Sequence, residues 1–402
     1  MLIEMDLMLE KARLNRRELL IRSVAMAAAA GVALPAAGAF AQDASPAAGE
    51  EQGGGMPPLP EGATVVGQGL WNPGDITLGE DGTIYIAEQG VSGGDPTAPP
   101  PAATPGVVAT ATPPLVPPQI SAIAPDGTQI VLTTAIGGVG IDYYDQSVYV
   151  STGGSSVGSG MLPLPSENTI SAIDINTQET RLVAELGPYE EANNPDGTDI
   201  NPNLYGLGIS QDGVIYVADA GGNTIYQVAP DTGEFSLFAV VPNLTDLTGA
   251  TPTAEEEAMQ PGPRQPVPTS VAIAPDGTIT VVLLSESWNG PSILDYQADG
   301  TYTVRDVQLS MIVDATYGPD GALYVTQLTA DFSGEMPAPG NVFRVDADGT
   351  VTPVVEGLFF PHGIAFHEES GNLFVVTNSI ISAPDAPAGM LVRFDGIATP
   401  AA

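Results

Sequence analysis

Two sets of polar residues recur at matched places along the chain, and both are of types that ligate cations or hydrogen-bond small ligands. The first set, Asp75, Asp142, Ser270 and Asp314, opens a series of apolar alternating runs, and His362 stands one residue before the matching place in another. The second set, Glu88, Thr152, Asp219, Gln327 and Asn378, closes the runs that follow, with Leu283 at that place once. Carboxylate and amide oxygens converging on an axis are hard ligands suited to Ca²⁺. Asp75, Asp142, Asp314 and Glu88 are therefore the candidate metal ligands, and Ca²⁺ the candidate cofactor. The competing role for Asp and Asn at strand ends is hydrogen bonding to nearby backbone.

Nucleophilic machinery is missing from the sequence. There is no cysteine, His362 and His367 sit in one segment, and no His-rich metal spacing occurs. The stretch GGSSVGSG lacks the Lys and the helix that a phosphate loop needs. No residue is assigned as catalytic.

The elements that must position these residues are repeated hairpins. ITLGEDGTIYIAE, GISQDGVIYVAD, SVAIAPDGTITVV and DATYGPDGALYV each carry an apolar alternating run into Asp-Gly and out again as a β-branched or aromatic run. Asp and Gly accept the positive φ of tight hairpins, so each stretch predicts one. GIDYYDQSVYVST turns through Asp-Gln, and GIAFHEESGNLFVVTN through Ser-Gly-Asn, which makes six inner hairpins. A more polar hairpin follows each, so four strands recur every 44 to 67 residues. One such unit cannot bury its faces, whereas a closed ring can. The pattern predicts an all-β, six-bladed β-propeller of four-stranded blades over residues 63–397, with a tail at 398–402. The last unit lacks its fourth strand, and ATVVGQGL at 63–70 is expected to supply it and close the ring.

Blade topology sorts the loops. Turns between strands one and two and between three and four share one face and are short, while the long segments 89–118, 153–167, 187–203, 242–266 and 329–340 all fall on the other. That segregation points to the long-loop face as the binding surface, for an unknown small molecule, glycan or protein.

The start of the chain is a different object. Residues 1–41 carry the Arg16-Arg17 pair, an Ala-rich apolar stretch and Ala39-Phe40-Ala41, the pattern of a twin-arginine export signal. The alternative is a retained membrane anchor, against which the Ala-rich composition and Pro35 weigh. Residues 42–62 read as a flexible linker. Replacing both arginines with lysine is expected to leave precursor inside the cell, and unchanged secretion on an immunoblot would refute the assignment. Beyond residue 41 the chain keeps 44 Asp and Glu against five Arg and no Lys. Such a surface repels nucleic acid and anionic membranes, and suits a periplasmic, cell-surface or extracellular setting.

The stretches YEEANNPDGTDINPNLYGLGI, VIYVADAGGNTIYQV, PVPTSVAIAPDG and GPDGALYV resemble the ScyD/ScyE family of exported propellers, with NHL-like repeats, across roughly residues 63–396. The family's usual Asn-Pro-Tyr-Gly reads Asn203-Leu204-Tyr205-Gly206 here, and Leu283 stands where Glu is common. The resemblance implies a six-bladed fold and export, and no reaction. The expectation is an exported, non-enzymatic binding or scaffold propeller, its ligand held around Asp196, Asn203, Tyr205, Asp219 and Asn223. The alternative is a metal-dependent lactonase or hydrolase of the gluconolactonase-like type, in which an axial divalent ion polarises the scissile carbonyl.

Overall fold

Among the described residues the short alternating runs form 24 strands in six antiparallel sheets of four. The computed structural model describes residues 57–91, 116–134, 136–154, 167–198, 200–249, 264–285, 291–307, 309–331, 337–383 and 385–399. Residues 1–56, expected to be an export signal and most of a linker, the end of the tail and much of the long-loop segments lie outside the described residues. Among the described residues no helix is long and apolar enough to cross a membrane.

Strand β1 (Thr64–Leu70) precedes blade one, which is β2 (Pro73–Leu78), β3 (Ile84–Glu88), β4 (Gln119–Ile123) and β5 (Gln129–Thr133). Blade two is β6 (Gly140–Tyr144), β7 (Ser147–Thr152), β8 (Thr169–Asp174) and β9 (Thr180–Glu185), and helix α1 (Gly187–Asn193) follows it. Blade three comprises β10 (Leu204–Ile209), β11 (Ile215–Asp219), β12 (Thr224–Val228) and β13 (Phe235–Val240), followed by the short α2 (Leu244–Thr248). In blade four the strands are β14 (Pro268–Ile273), β15 (Ile279–Leu283), β16 (Ile293–Tyr296) and β17 (Tyr302–Arg305). Blade five contains β18 (Ile312–Tyr317), β19 (Leu323–Gln327), β20 (Gly340–Val345) and β21 (Val351–Leu358). Blade six has β22 (Ile364–His367), β23 (Asn372–Thr377) and β24 (Gly389–Phe394), and β1 completes it as the outer strand. The β1–β24 register runs from Thr64↔Arg393 to Leu70↔Gly389, so the two chain ends close the ring as the sequence predicts.

Six apolar clusters fill the six blade interfaces. Ile76, Ile84 and Ile86 of blade one, for example, pack on Leu70, Phe374, Val376 and Leu391 of blade six. Val271, Val281 and Leu294 of blade four likewise meet Tyr216, Ala218 and Ile225 of blade three. A seventh cluster, including Val139, Tyr205, Val267, Met311 and Phe360, lies at the starts of the innermost strands on the long-loop side. Val267, Met311 and Phe360 occupy the same place before their strands, each with a positive φ (53°, 58° and 46°). That conformation is costly for a β-branched or bulky residue.

The inner turns differ from the expected type. Asp145-Gln146 is a two-residue turn with both φ positive, whereas at the Asp-Gly sites only the glycine is left-handed, as at Gly82 and Gly277. There the aspartate accepts an N–H two residues on, Thr83 N to Asp81 Oδ1 at 2.9 Å and Thr278 N to Asp276 Oδ1 at 3.0 Å. The side chain thus builds part of a longer loop instead of adopting a positive φ itself.

Candidate functional site

The innermost strands β2, β6, β10, β14, β18 and β22 are edge strands, neighbours in a ring around the axis. Pairing with the second strands aligns them: Ile76↔Ile86, Ile141↔Val150, Leu207↔Val217, Val271↔Val281, Ala315↔Val325 and Ile364↔Val375 hold one level. One residue earlier stand Asp75, Gly140, Gly206, Ser270, Asp314 and Gly363. Three polar side chains are thus set among three glycines, and close packing requires the glycines. A Cβ at Gly363 would lie 2.4 Å from Asp75 Cα, and one at Gly206 would lie 2.8 Å from Ser270 Cα.

This alignment corrects the expected ring. Asp142 pairs with Tyr149 and belongs two residues further along, level with Thr77, which pairs with Tyr85. The sequence offset arises because β6 carries Gly140 at the level where β2 and β18 carry aspartate. In the outer polar set, Thr377 rather than Asn378 is level with Gln327 and Leu283, by its place two residues after Val375.

Asp75, Asp142 and Asp314 act first as ties between blades. Ile141 N donates to Asp75 Oδ2 (3.1 Å), Ile209 N to Asp142 Oδ2 (2.9 Å), and Ile364 N to Asp314 Oδ2 (2.9 Å). Each bond reaches the next blade, where no strand ladder exists. Ser270 Oγ adds a tie from blade four by donating to Asp314 Oδ1 at 2.7 Å. Burial, then the charge of Asp314, pushes the Asp75 carboxyl well above the usual carboxylate range. Burial likewise pushes Asp314 and Asp142 up to about 6.

One level towards the long-loop side, Tyr205 Oη and His362 Nε2 are 2.8 Å apart. Both residues are buried. Burial lowers His362 to about 4, leaving the ring neutral at neutral pH, and the Tyr205 hydroxyl is raised by burial and then by the charges of Asp314 and Asp75.

On the other side of the acid level the axis widens into a cavity of about 600 Å³. Its inner end carries Asp75, Asp142, Asp314, Ser270 and Thr77, and its outer end the hairpin-turn residues Gln211, Pro275, Asp320 and Glu368. It therefore opens on the short-turn face. Among the described residues five lining residues, Asp75, Asp142, Asp314, Asp320 and Glu368, are acidic, and none is Lys, Arg or His. Arg305 is committed to Asp295 at 2.8 Å, and Arg344 neutralises Asp320 from outside at 3.1 Å. Thr77, Gln211 and Glu368 were not singled out by sequence reasoning. Their signal was their place on the six inner hairpins, which the search for loop length passed over.

Glu88 is elsewhere. It is buried at the end of β3, where it accepts hydrogen bonds from Gln119 Nε2 (2.9 Å) and Ser121 Oγ. Burial raises its carboxyl, and those bonds, with one from Trp71 N, oppose the rise.

The long-loop candidates separate into two places. Asp196, Asn203, Asp219 and Asn223 gather above blade three, while Tyr205 lies on the axis. Asp196 Oδ2 accepts from Asn223 Nδ2 (2.7 Å), and Asp219 Oδ1 accepts the N–H groups of Asn203 (2.8 Å), Gly221 (3.0 Å) and Gly222 (2.8 Å). Asn203 Oδ1 takes Gly154 N (3.2 Å), and Asn223 Oδ1 takes Val267 N (3.3 Å). These bonds fasten loops to one another.

As a Ca²⁺ site the axial residues fit poorly. The ion takes about six to eight oxygens. All four oxygens of Asp75 and Asp314 already accept an N–H or O–H, with Ile76 N on Asp75 Oδ1 at 2.7 Å completing the set. Among the described residues no three acidic or histidine side chains converge as metal ligands. What the arrangement can do is offer carboxyl oxygens to a hydrogen-bond donor entering the cavity.

No protein-family model and no curated protein matches the chain. Solved structures do match in fold. A gluconolactonase, XC5397 from Xanthomonas campestris, is similar at a TM-score of 0.52 with 12% identity, over 83% of this chain and 89% of that one. A calcium-binding protein, regucalcin from Agrobacterium tumefaciens, is similar at 0.50 with 13% identity, over 84% and 95%. A Bacteroides thetaiotaomicron protein of unknown function gives 0.52 with 11% identity, over 83% and 75%. At these identities the similarity establishes a shared fold, the six-bladed propeller, and nothing finer.

Proposed function

We propose that this is an exported, non-enzymatic binding propeller of the ScyD/ScyE kind, and that its ligand is a small molecule entering the axial cavity from the short-turn face. One observation carries the reading: the cavity of about 600 Å³ ends on two buried carboxyls, Asp75 and Asp314, and the half-buried Asp142, and among the described residues has no basic side chain in its lining. A space of that size suits a small ligand, and apolar walls with a few convergent polar groups are the usual make-up of such a site. Export rests on the twin-arginine pattern, and the family on the motifs around Asn203–Gly206. The scaffold role expected for the long-loop face draws less support, since the polar groups of Asp196, Asn203, Asp219 and Asn223 are spent on one another and on backbone.

The fold similarity to a gluconolactonase supports one further reading, a metal-dependent lactonase. Against it stands the axis itself, where among the described residues no three acidic or histidine side chains converge as metal ligands. Thermal melting with a panel of aliphatic amines, polyols and aldonolactones, run beside a pH-stat assay for lactone and ester hydrolysis, separates the two. Binding at a hundredfold excess over Kd stabilises by about 2.7 kcal/mol. The expected result is a rise in melting temperature with at least one class, and no turnover with either Ca²⁺ or chelator present. Ca²⁺-dependent lactone hydrolysis would establish the lactonase instead.

A further inference from the structure

Below the long-loop face, where blades two and three meet, four oxygen-bearing side chains are buried together away from the axis. Asp219 ends β11 and pairs with Thr224, the first residue of β12, and Tyr226 stands two residues further on, so all three side chains share one face of blade three. Helix α1 covers that face. Tyr189 packs edge-on against the Tyr226 ring at 5.8 Å, and the next residue, Glu190, brings its carboxyl to the same place. Glu190, Asp219, Thr224 and Tyr226 are each at most 1% exposed. A single point, where a Cβ would stand on Gly222, lies 3.0 Å from Asp219 Oδ2 and 3.1 Å from Glu190 Oε2, so both carboxylates border one small space that glycine leaves open. Asp219 is locked in that direction, because its Oδ1 takes the N–H groups of Asn203, Gly221 and Gly222.

Two hydroxyls point to an occupant. Thr224 Oγ1 and Tyr226 Oη are enclosed and have no hydrogen-bond partner, a state that folded chains avoid. Burial raises the Tyr226 hydroxyl, the neighbouring Thr224 hydroxyl opposes the rise, and the charges of Asp219 and Glu190 add to it, so the phenol lies within the field of both acids. A water molecule would satisfy the hydroxyls and do little for two carboxylates in a dry space, whereas a cation serves all four groups. The donors are hard oxygens without His or Cys, and the enclosure leaves little room for the water shell that Mg²⁺ keeps. We infer that Glu190, Asp219, Thr224 and Tyr226 hold a Ca²⁺ ion that clamps helix α1 onto blade three. Two carboxylates match its charge. Glu190 can bind through both oxygens, Asp219 through Oδ2 and the hydroxyls through one each, with water completing the roughly six or more that the ion takes. The ion thereby fastens the 187–203 segment, which carries Asp196 and Asn203, and it does so whether or not the axial cavity takes a ligand.

Terbium luminescence excited through tyrosine, read on the full chain after chelator treatment and beside metal analysis of the untreated protein, tests this. Tb³⁺ is expected to bind with sensitised emission, Ca²⁺ to displace it, and Mg²⁺ to compete about tenfold or more less well. Glu190→Gln removes one of the two charges and should weaken Ca²⁺ by about tenfold or more. Tyr226→Phe retains the ring against Tyr189 and should cut the sensitised emission, while the distant Tyr302→Phe should not. Asp142→Asn, on the axis, should leave Ca²⁺ affinity unchanged. Should Glu190→Gln fail to fold, the emission of Tyr226→Phe decides. A chain that holds no Ca²⁺ and binds no Tb³⁺ would overturn the site. Ca²⁺ binding that survives Glu190→Gln and is lost in Asp142→Asn would place the ion on the axis and overturn it equally. Mg²⁺ competing as well as Ca²⁺ would overturn the choice of ion, and emission untouched by Tyr226→Phe would remove Tyr226 from the ligands.

Discussion

Deleting residues 63–70 is expected to yield protein that aggregates or melts on the order of 10 °C or more below the intact chain. The strand β1 is paired with β24 along its whole length, and its Leu70 is buried with Ile76, Ile86, Phe374 and Leu391. Losing one fully buried leucine costs about 2–5 kcal/mol, and the deletion also bares the β24 edge and part of the blade-one interface. A typical domain has only about 5–15 kcal/mol in hand. Because β1 is antiparallel to β24, moving the same residues to follow residue 397 should rebuild the blade through an ordinary hairpin and restore the melting temperature. A deletion that melts with the intact chain would reject this closure, and a transplant that fails to rescue would show that position in the sequence matters beyond pairing.

The second large effect is a dependence of stability on pH that runs opposite to ordinary acid denaturation. Asp142 and Asp314 are pushed up to about 6, and Asp75 well above its usual value, chiefly by burial. A carboxyl whose folded value lies above its unfolded one, near 3.9, contributes stability that is fully present below the unfolded value. It loses that contribution as pH rises through the folded value. From about pH 4 to about pH 7 the axis should therefore weaken by a few kcal/mol. Turn aspartates such as Asp126 and Asp276 act in the other direction, since backbone and side-chain hydrogen bonds hold them low, but they lose their contribution only below that window. Repulsion among the many surface carboxylates also grows with pH, so the discriminating quantity is a difference between proteins. Urea midpoints for wild type and Asp142→Asn should converge or cross as pH rises from 4 to 7. Parallel curves would mean that Asp142 titrates in the folded state as it does in the unfolded chain.

How much the sequence disclosed depended on whether a feature was local. Each inner hairpin announces itself by alternation around its turn, and β1 by its likeness to the end of β21, so blade number and closure could be read without coordinates. Asp142 could not be placed, because its level depends on pairing with Tyr149, and the Gly140 that displaces it looks in sequence like part of the run. Glu88 was misgrouped for a related reason. It ends a second strand, one step out from the axis, where Gln119 and Ser121 of the third strand enclose it. Loop length drew attention to the long-loop face, yet Val267, Met311 and Phe360, turned inward at positive φ, contribute to an apolar cluster on that side of the axis. No local pattern marks a bulky residue for that conformation.

The central claim is that ligand enters the axis from the short-turn face and stops at the acid level. A crystal structure of the protein soaked with whichever member of the amine, polyol and lactone panel raises its melting temperature tests it most directly. The account predicts density in the cavity with a ligand donor about 3 Å from a carboxyl oxygen of Asp75, Asp142 or Asp314. Density confined to the loops above blade three, around Asp196 and Asn223, with an empty axis would contradict it.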